Sequence, residues 1–328
     1  MVEDDYIALR SRAGLVSSRS GDWIRVSGED RLRFVNGMVT CDLRSLTAEE
    51  GAYGFFTDPK GRVIADAALL ETRSGLLAEL PRGCGSSVAE HMRKYVVADR
   101  VAIETLEDWR TIYVAGPEAS ARLAEVFEGV ENLEPWNGAI RDGVGASRIL
   151  VRADRRLGVP ALALAGSRGA LNEAAGALAA AGVVPAGEAA AAAVRIESGV
   201  PWFGLEFGPD SGDGGSFPQE TGIESWAVSF EKGCYLGQEV IARIHFRGKV
   251  NRSLRGLLFE PEARPRAGLP LLWNGEAVGV MNSVARSPTL GRPVGLAIVH
   301  HKAEVEGVLS TAVGSCRLVE LPFDLETA

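Results

Sequence analysis

Apolar and polar positions alternate along this chain with two different periods, and the period changes mark out its elements. Residues 22–26 read as a short strand. Ser27 then reads as a helix N-cap, with Asp30 three residues on and Leu32, Val35 and Met38 on one helical face. The aromatic run 51–58 ends at Asp58-Pro59-Lys60-Gly61, a turn between two strands. In the strand 62–71 that follows, period two puts Ile64, Asp66, Ala68 and Leu70 on one face, and Val63, Ala65, Ala67 and Leu69 on the other. Ser87-Val88-Ala89-Glu90 has the form of a capping box opening a helix through Lys94 and Tyr95.

Further on, 100–104 and 111–115 read as strands, and Pro117 starts a helix through Phe127. Strand-like stretches 146–153 and 159–165 lead to two Ala-rich helices, 170–181 closed by Gly182 and 188–197 leading to Gly199. Residues 208–217 are almost all Gly, Asp, Ser and Pro and are expected to form a mobile loop. Residues 239–246 alternate, with Val240, Ala242, Ile244 and Phe246 opposite Glu239, Arg243 and His245, and predict a strand. After Gly248, short apolar runs at 254–259, 270–273, 277–284, 294–299 and 311–318 alternate with Gly and Pro turns. That spacing predicts a small antiparallel barrel or sandwich, and an α+β chain overall.

The 328 residues leave room for about two domains and a sizeable core, and 46% hydrophobic with 24% charged residues is ordinary globular composition. A net charge of −8 argues against a protein devoted to nucleic acid or anionic membrane. The four cysteines, Cys41, Cys84, Cys234 and Cys316, form no C-x-x-C pair, and with four His they offer no metal or cluster spacing. The acidic start carries no signal-peptide h-region, and no apolar run is long enough to cross a membrane. A reducing, cytoplasmic location is therefore expected.

The most distinctive segment is Lys232-Gly233-Cys234-Tyr235-Leu236-Gly237-Gln238-Glu239. It resembles the K-G-C-[FY]-x-G-Q-E signature of the YgfZ family of folate-binding proteins. The flanking stretches 195–201, 217–220 and 247–252, together with Arg243, are similar to that family too. Ala13-Gly14-Leu15, residues 26–30, Thr40-Cys41-Asp42 and Asp58-Pro59-Lys60-Gly61-Arg62 resemble the wider aminomethyltransferase superfamily, which includes the glycine cleavage T-protein.

The resemblance implies three lobes around a central folate cavity, with a C-terminal antiparallel β-barrel. Residues 1–247 would form the folate-binding region, two intertwined lobes with roughly 106–187 as a middle part, and 248–328 the barrel. It also implies tetrahydrofolate as cofactor and iron–sulfur client or assembly proteins as partners, in an accessory role in cluster assembly or repair. The alternatives are a folate-dependent aminomethyl- or methyltransferase, and a folate-gated interaction module without turnover. The T-protein's glycine-rich G-x-T-G-Y-T-G-E-x-G run is missing. The corresponding region, 144–165, carries Arg152, Asp154 and Arg155 instead.

Each candidate residue has two readings. Asp66 is a lone carboxylate in an apolar strand; it either caps a backbone N–H at a bend or accepts the paired N–H groups of a pterin, as the resemblance implies. Arg195 ends an Ala-rich helix, as a cation against its dipole or, by resemblance, as a lining residue of the folate cavity. Tyr235 and Gln238 are folate contacts by resemblance. Cys234 is either a small packed residue or a thiolate favoured by Lys232 and the cations after it, and the signature favours a functional thiol with Lys232 beside it. The basic run 243–255 is either a solvated face or an anion-binding stripe.

Overall fold

A computed structural model of the protein describes residues 2–17, 20–143, 147–211, 214–303 and 306–326. The chain forms three lobes. The first is a five-stranded antiparallel sheet in the order Gly51–Thr57, Val63–Thr72, Gly75–Leu80, Asp22–Ser27 and Ala102–Thr105. Helices Arg31–Asn36 and Gly85–Arg93 cover one face, where Ala65, Ala67 and Leu69 meet Val35, Val88 and Met92. The second is a six-stranded sheet in the order Val184–Pro185, Gly14–Val16, Trp109–Ala115, Ala161–Ser167, Arg148–Asp154 and Gly138–Asp142. Helices Ala119–Ala124 and Arg168–Ala180 close one of its faces around Val151, Leu162 and Leu164.

The third lobe is a closed six-stranded antiparallel barrel. Alternation does the sorting within its strands. Ala297 and Val299 of Arg292–His300 point into the barrel, while Val294, Leu296 and Ile298 pack outside, against Ile196, Phe207 and Phe55.

The uncovered faces of the two sheets lie against each other. At one end of this interface the contact is apolar, with Trp23, Leu70 and Leu77 against Leu150 and Ala165. Two to four residues further along the same strand faces the side chains turn polar: Asp66, Glu79, Tyr113, Arg152 and Asp154. Arg152 donates through Nη2 to Glu79 at 2.6 Å and to Asp154 at 2.7 Å. Arg156 bonds Asp154 through Nε at 3.1 Å and Nη2 at 2.6 Å and also reaches Glu79. Tyr113 donates its hydroxyl to the same Glu79 at 3.0 Å. Two guanidinium and two carboxylate groups thus neutralise one another across the two lobes.

Several local expectations change. The first-lobe helix starts at Arg31 with Asp30, not Ser27, at its N-cap, and the helix after Pro117 spans Ala119–Ala124. Residues 239–246 are not a strand: the chain is helical over Gln238–Arg247. Val240, Ile241 and Ile244 also share a helical face, so the segment satisfies both periods. The stretch 311–318 is a hairpin, Val308–Thr311 and Gly314–Val319, turning at Gly314 with φ 113°. Helix Gly85–Arg93 starts ahead of Ser87, whose hydroxyl donates to the Cys84 carbonyl; the cap is supplied instead by Asp22, which accepts from the N–H groups of Gly83 and Gly85. The strand expected from residue 146 begins, among the described residues, at Arg148. Of the loop 208–217, the described ends are pinned: Arg62 and Arg252 donate to the Gly215 carbonyl at 2.6 and 2.8 Å.

The inter-lobe cluster generates a stability prediction. Burial works to raise the Asp154 carboxyl, but Arg156 and Arg152 more than offset it and hold it at about 2. Glu79 is lowered too, by Arg156 and Arg152 against the same burial. Both carboxyls titrate below their ordinary ranges in the folded protein. Their contribution is therefore complete above the unfolded carboxylate range and lost as pH falls through the folded values, toward about 2 for Asp154. Arg152→Met should remove about 3–5 kcal/mol, because it strands buried acid charge. Urea denaturation at neutral pH and along an acid series measures both effects; an unchanged midpoint in the variant would contradict the assignment.

Candidate functional site

Where the polar end of the sheet interface opens, it leaves a cavity of ≈ 250 Å³. Asp66 reaches it from the Val63–Thr72 strand, Glu79 from Gly75–Leu80, Tyr113 from Trp109–Ala115, and Arg156 from the turn after Arg148–Asp154. Trp202 and Phe203 line it from the segment after helix Glu188–Glu197, and Arg82 stands exposed beside it.

Asp66 is where the alternation places it, facing the second lobe with Ala68 and Leu70. The alternation does not run through the whole strand. A bulge opposite Phe56 and Thr57 leaves Ile64 outside the pairing, so Ile64 joins Ala65 on the helix-covered face and Val63 turns the other way. Asp66 is 6% exposed, and its Oδ2 accepts the Tyr53 hydroxyl at 2.5 Å. Tyr53 in turn stacks on Trp136 of the middle lobe, with ring centroids 4.7 Å apart. The carboxylate is thereby oriented by a phenol that is itself held on one face.

Trp202 is fixed on three sides. Its indole N–H donates to the Arg156 carbonyl at 2.8 Å, its backbone N–H to Glu206 at 2.8 Å, and the Arg195 guanidinium lies 4.4 Å from its ring centroid. Arg195 itself does not line the cavity. It is buried one layer back and donates to the Val200 carbonyl at 2.7 Å, Glu206 at 3.0 Å and the barrel's Ser283 at 2.8 Å. Its role in this geometry is to hold Trp202 and tie the barrel to the first two lobes.

The other candidates form a separate site. Lys232 is 5% exposed, and its ammonium donates to the carbonyls of Asn36, Val39 and Cys41 at 2.6, 2.7 and 2.6 Å. Those carbonyls follow helix Arg31–Asn36, so the lysine caps its C-terminal end. Burial pulls the ammonium down to about 8. Leu236 locks the far side of the turn, its N–H bonding the Gly37 carbonyl at 3.0 Å and its carbonyl accepting from Thr57 at 2.6 Å. Gly237 has φ 82°, and a Cβ there would meet the Asp58 carbonyl at 2.6 Å, so only glycine fits. Cys234 is exposed at the crest of this turn. Tyr235 is buried beneath it, its ring 5.0 Å from the Lys232 ammonium and its hydroxyl without a hydrogen-bond partner among the described residues. Burial, with Glu224, raises that phenol to about 12. Gln238 opens the helix half-buried. None of Lys232, Cys234, Tyr235 and Gln238 lines the cavity that holds Asp66.

Sequence reasoning missed Glu79, Tyr113, Arg156 and Trp202. Two of them had a signal: Glu79 is a single acid in an apolar strand, as Asp66 is, and Arg152, Asp154 and Arg156 repeat at period two. Among the described residues no group of three or more His, Cys, Asp or Glu is placed to hold a metal ion, and no helix is long and apolar enough to cross a membrane.

Thiol accessibility is directly testable. Burial raises Cys41 and Cys316 to about 12, and burial with Asp66 and Asp22 raises Cys84 to about 11. Cys234 alone of the four is exposed. Iodoacetamide near pH 8 should label Cys234 first and the other three only on unfolding; peptide-resolved mass spectrometry showing Cys84 reacting as fast would contradict this.

Residues 1–151 match the model of the GCVT N-terminal domain, and residues 252–323 that of the glycine cleavage T-protein C-terminal barrel domain. The fold is shared with the glycine cleavage system aminomethyltransferase T from Bartonella henselae, at a TM-score of 0.85 and 22% identity over 99% of this chain and 90% of that one. A chain of heterotetrameric sarcosine oxidase from Corynebacterium sp. U-96 matches 55% of this chain and 90% of its own at 8% identity and a TM-score of 0.37. Two domain models at the two ends of the chain, and a fold shared along its length, place it in the aminomethyltransferase superfamily.

Proposed function

We propose that this protein binds tetrahydrofolate in the cavity between its lobes and acts as an accessory protein in iron–sulfur cluster assembly or repair, with Cys234 as its functional thiol. The observation that supports the folate reading is the makeup of the cavity wall: two buried carboxylates, Asp66 oriented by a phenol and Glu79 paired with guanidinium groups, beside aromatic rings and a nearby cation. A pterin presents adjacent N–H donors on a flat ring, which suits Asp66 as acceptor and Trp202 and Tyr113 as apolar walls. Arg82 suits the carboxylates of a folate tail. Bound tetrahydrofolate supplies a carrier of one-carbon units.

The iron–sulfur reading is supported by the Lys232–Glu239 signature together with the exposure of its cysteine. Lys232 positions the turn that presents the thiol, through three carbonyl contacts. With no cluster spacing among its cysteines, the protein acts on clients and does not carry a cluster itself. The second reading is aminomethyl transfer, favoured by the fold shared with an aminomethyltransferase. Against it stands the missing glycine-rich run, in whose region this chain carries Arg152, Asp154 and Arg156 of the inter-lobe cluster.

Calorimetry with a stable reduced-folate analogue should give one-to-one binding, and Asp66→Ala should weaken it about ten- to a hundredfold, the loss of one buried charge-assisted acceptor. Equal affinity in the variant would remove Asp66 from the site. Cys234→Ser should fold and bind the analogue normally yet fail to restore iron–sulfur enzyme activities in a null strain. The wild-type protein should release no ammonia from an aminomethylated lipoyl carrier when folate is added. Full complementation by Cys234→Ser would end the thiol reading, and folate-dependent ammonia release would favour the transferase.

A further inference from the structure

Helix Gln238–Arg247 buries one side chain fully, Ile241, and leaves Glu239, Arg243 and its last three residues exposed. At its C-terminal end three rings form a fixed cluster. Phe230 stacks on His245 with centroids 3.7 Å apart, and Phe246 meets the two edge-on at 5.7 and 4.9 Å. Phe246 is nevertheless 68% exposed, more than any other aromatic side chain among the described residues. An aromatic group held rigid and left in water has no role in the protein's own core.

The charges around it are equally unspent. Some exposed arginines pair with a nearby acid, as Arg33 does with Asp30 and Arg44 with Asp42. Arg243, Arg247 and Lys249 are exposed and have no ion-pair partner among the described residues. Glu224 is taken up by His245 at 3.3 Å, and Glu239 stands one helical turn before Arg243. In a chain of net charge −8, three exposed cations thus stand on and just beyond the helix end that carries the exposed ring.

We infer that this helix face is a docking surface for a partner protein that presents an acidic segment with one apolar side chain. The apolar side chain covers Phe246, the natural anchor of such a patch, and the carboxylates meet Arg243, Arg247 and Lys249. A protein segment fits better than a nucleic acid, because the cations are few and one exposed ring offers no run of stacking platforms for successive bases. The inference is independent of what occupies the cavity, since no residue of this helix lines it. It would bring the partner to the side of the molecule that displays Cys234.

Fluorescence anisotropy tests it with labelled twelve-residue peptides on the full chain: an Asp/Glu-rich peptide with a central Phe, the same peptide with Ala for Phe, a Lys-rich control and oligo-dT. The acidic Phe peptide should bind, the Lys-rich control should not, and added salt should weaken binding. Phe246→Ala should weaken it about fivefold, and Arg243→Glu with Arg247→Glu and Lys249→Glu by more than about tenfold, with unfolding midpoints unchanged because all four side chains are exposed. Amide exchange should slow over 238–249 on binding. No binding up to millimolar peptide, insensitivity to these substitutions, equal binding of oligo-dT, or self-association abolished by Phe246→Ala would each overturn the proposal.

Discussion

The structure depends on one buried electrostatic balance. Glu79 stands on the first sheet, Arg152 and Asp154 on the second, and Arg156 just beyond it, and all four converge between the lobes. Charge taken out of water is tolerated only where an opposite charge and hydrogen bonds replace the solvent. The cluster meets that condition with two charges of each sign. Its hold is uneven: Arg152 Nε and Nη1 find no protein partner among the described residues, with Trp23 as the nearest ring at 5.8 Å. Such an arrangement specifies how the two sheets sit against each other more than it stabilises them. An apolar interface could slide by a residue pair, whereas four matched charges cannot.

The cavity follows from that constraint. Arg156, held by Asp154 and Glu79, offers its carbonyl to the Trp202 indole. Trp202 is backed by Arg195, which reaches on to Ser283 of the barrel. The three lobes are thus linked through one chain of polar contacts running beside the cavity wall. Asp66 is oriented separately, by Tyr53 against Trp136.

The cysteine turn is built by different means. Lys232 holds it through three main-chain carbonyls, and Gly237 lets it close against the 58–61 turn. The two sites share the first lobe but no lining residue. Ligand in the cavity and chemistry at the thiol would therefore communicate through the body of the first lobe and not by direct contact.

Alternation made much of this readable from the residues alone. The barrel strands, the strand bearing Asp66 and the turn at Asp58–Gly61 all carry short-range patterns, because side chains at i and i+2 must share a face whatever lies opposite. The Lys232–Glu239 signature is likewise local, since its glycines and lysine serve one tight turn. Where two periods coexist, as in 239–246, pattern alone could not choose, and the segment folds as a helix that buries Ile241. The bulge beside Ile64 belongs to the pairing of two strands and leaves no mark in either one. Glu79 and Arg152 lie 73 positions apart, so their pairing became visible only when the sheets were stacked. The same stacking decided that Arg195 supports the cavity wall and does not line it. The sequence by itself determined which face of each element is apolar and which turns are tight; the tertiary structure decided which buried charges meet, because a Coulombic partner is chosen by distance in space and not by distance along the chain.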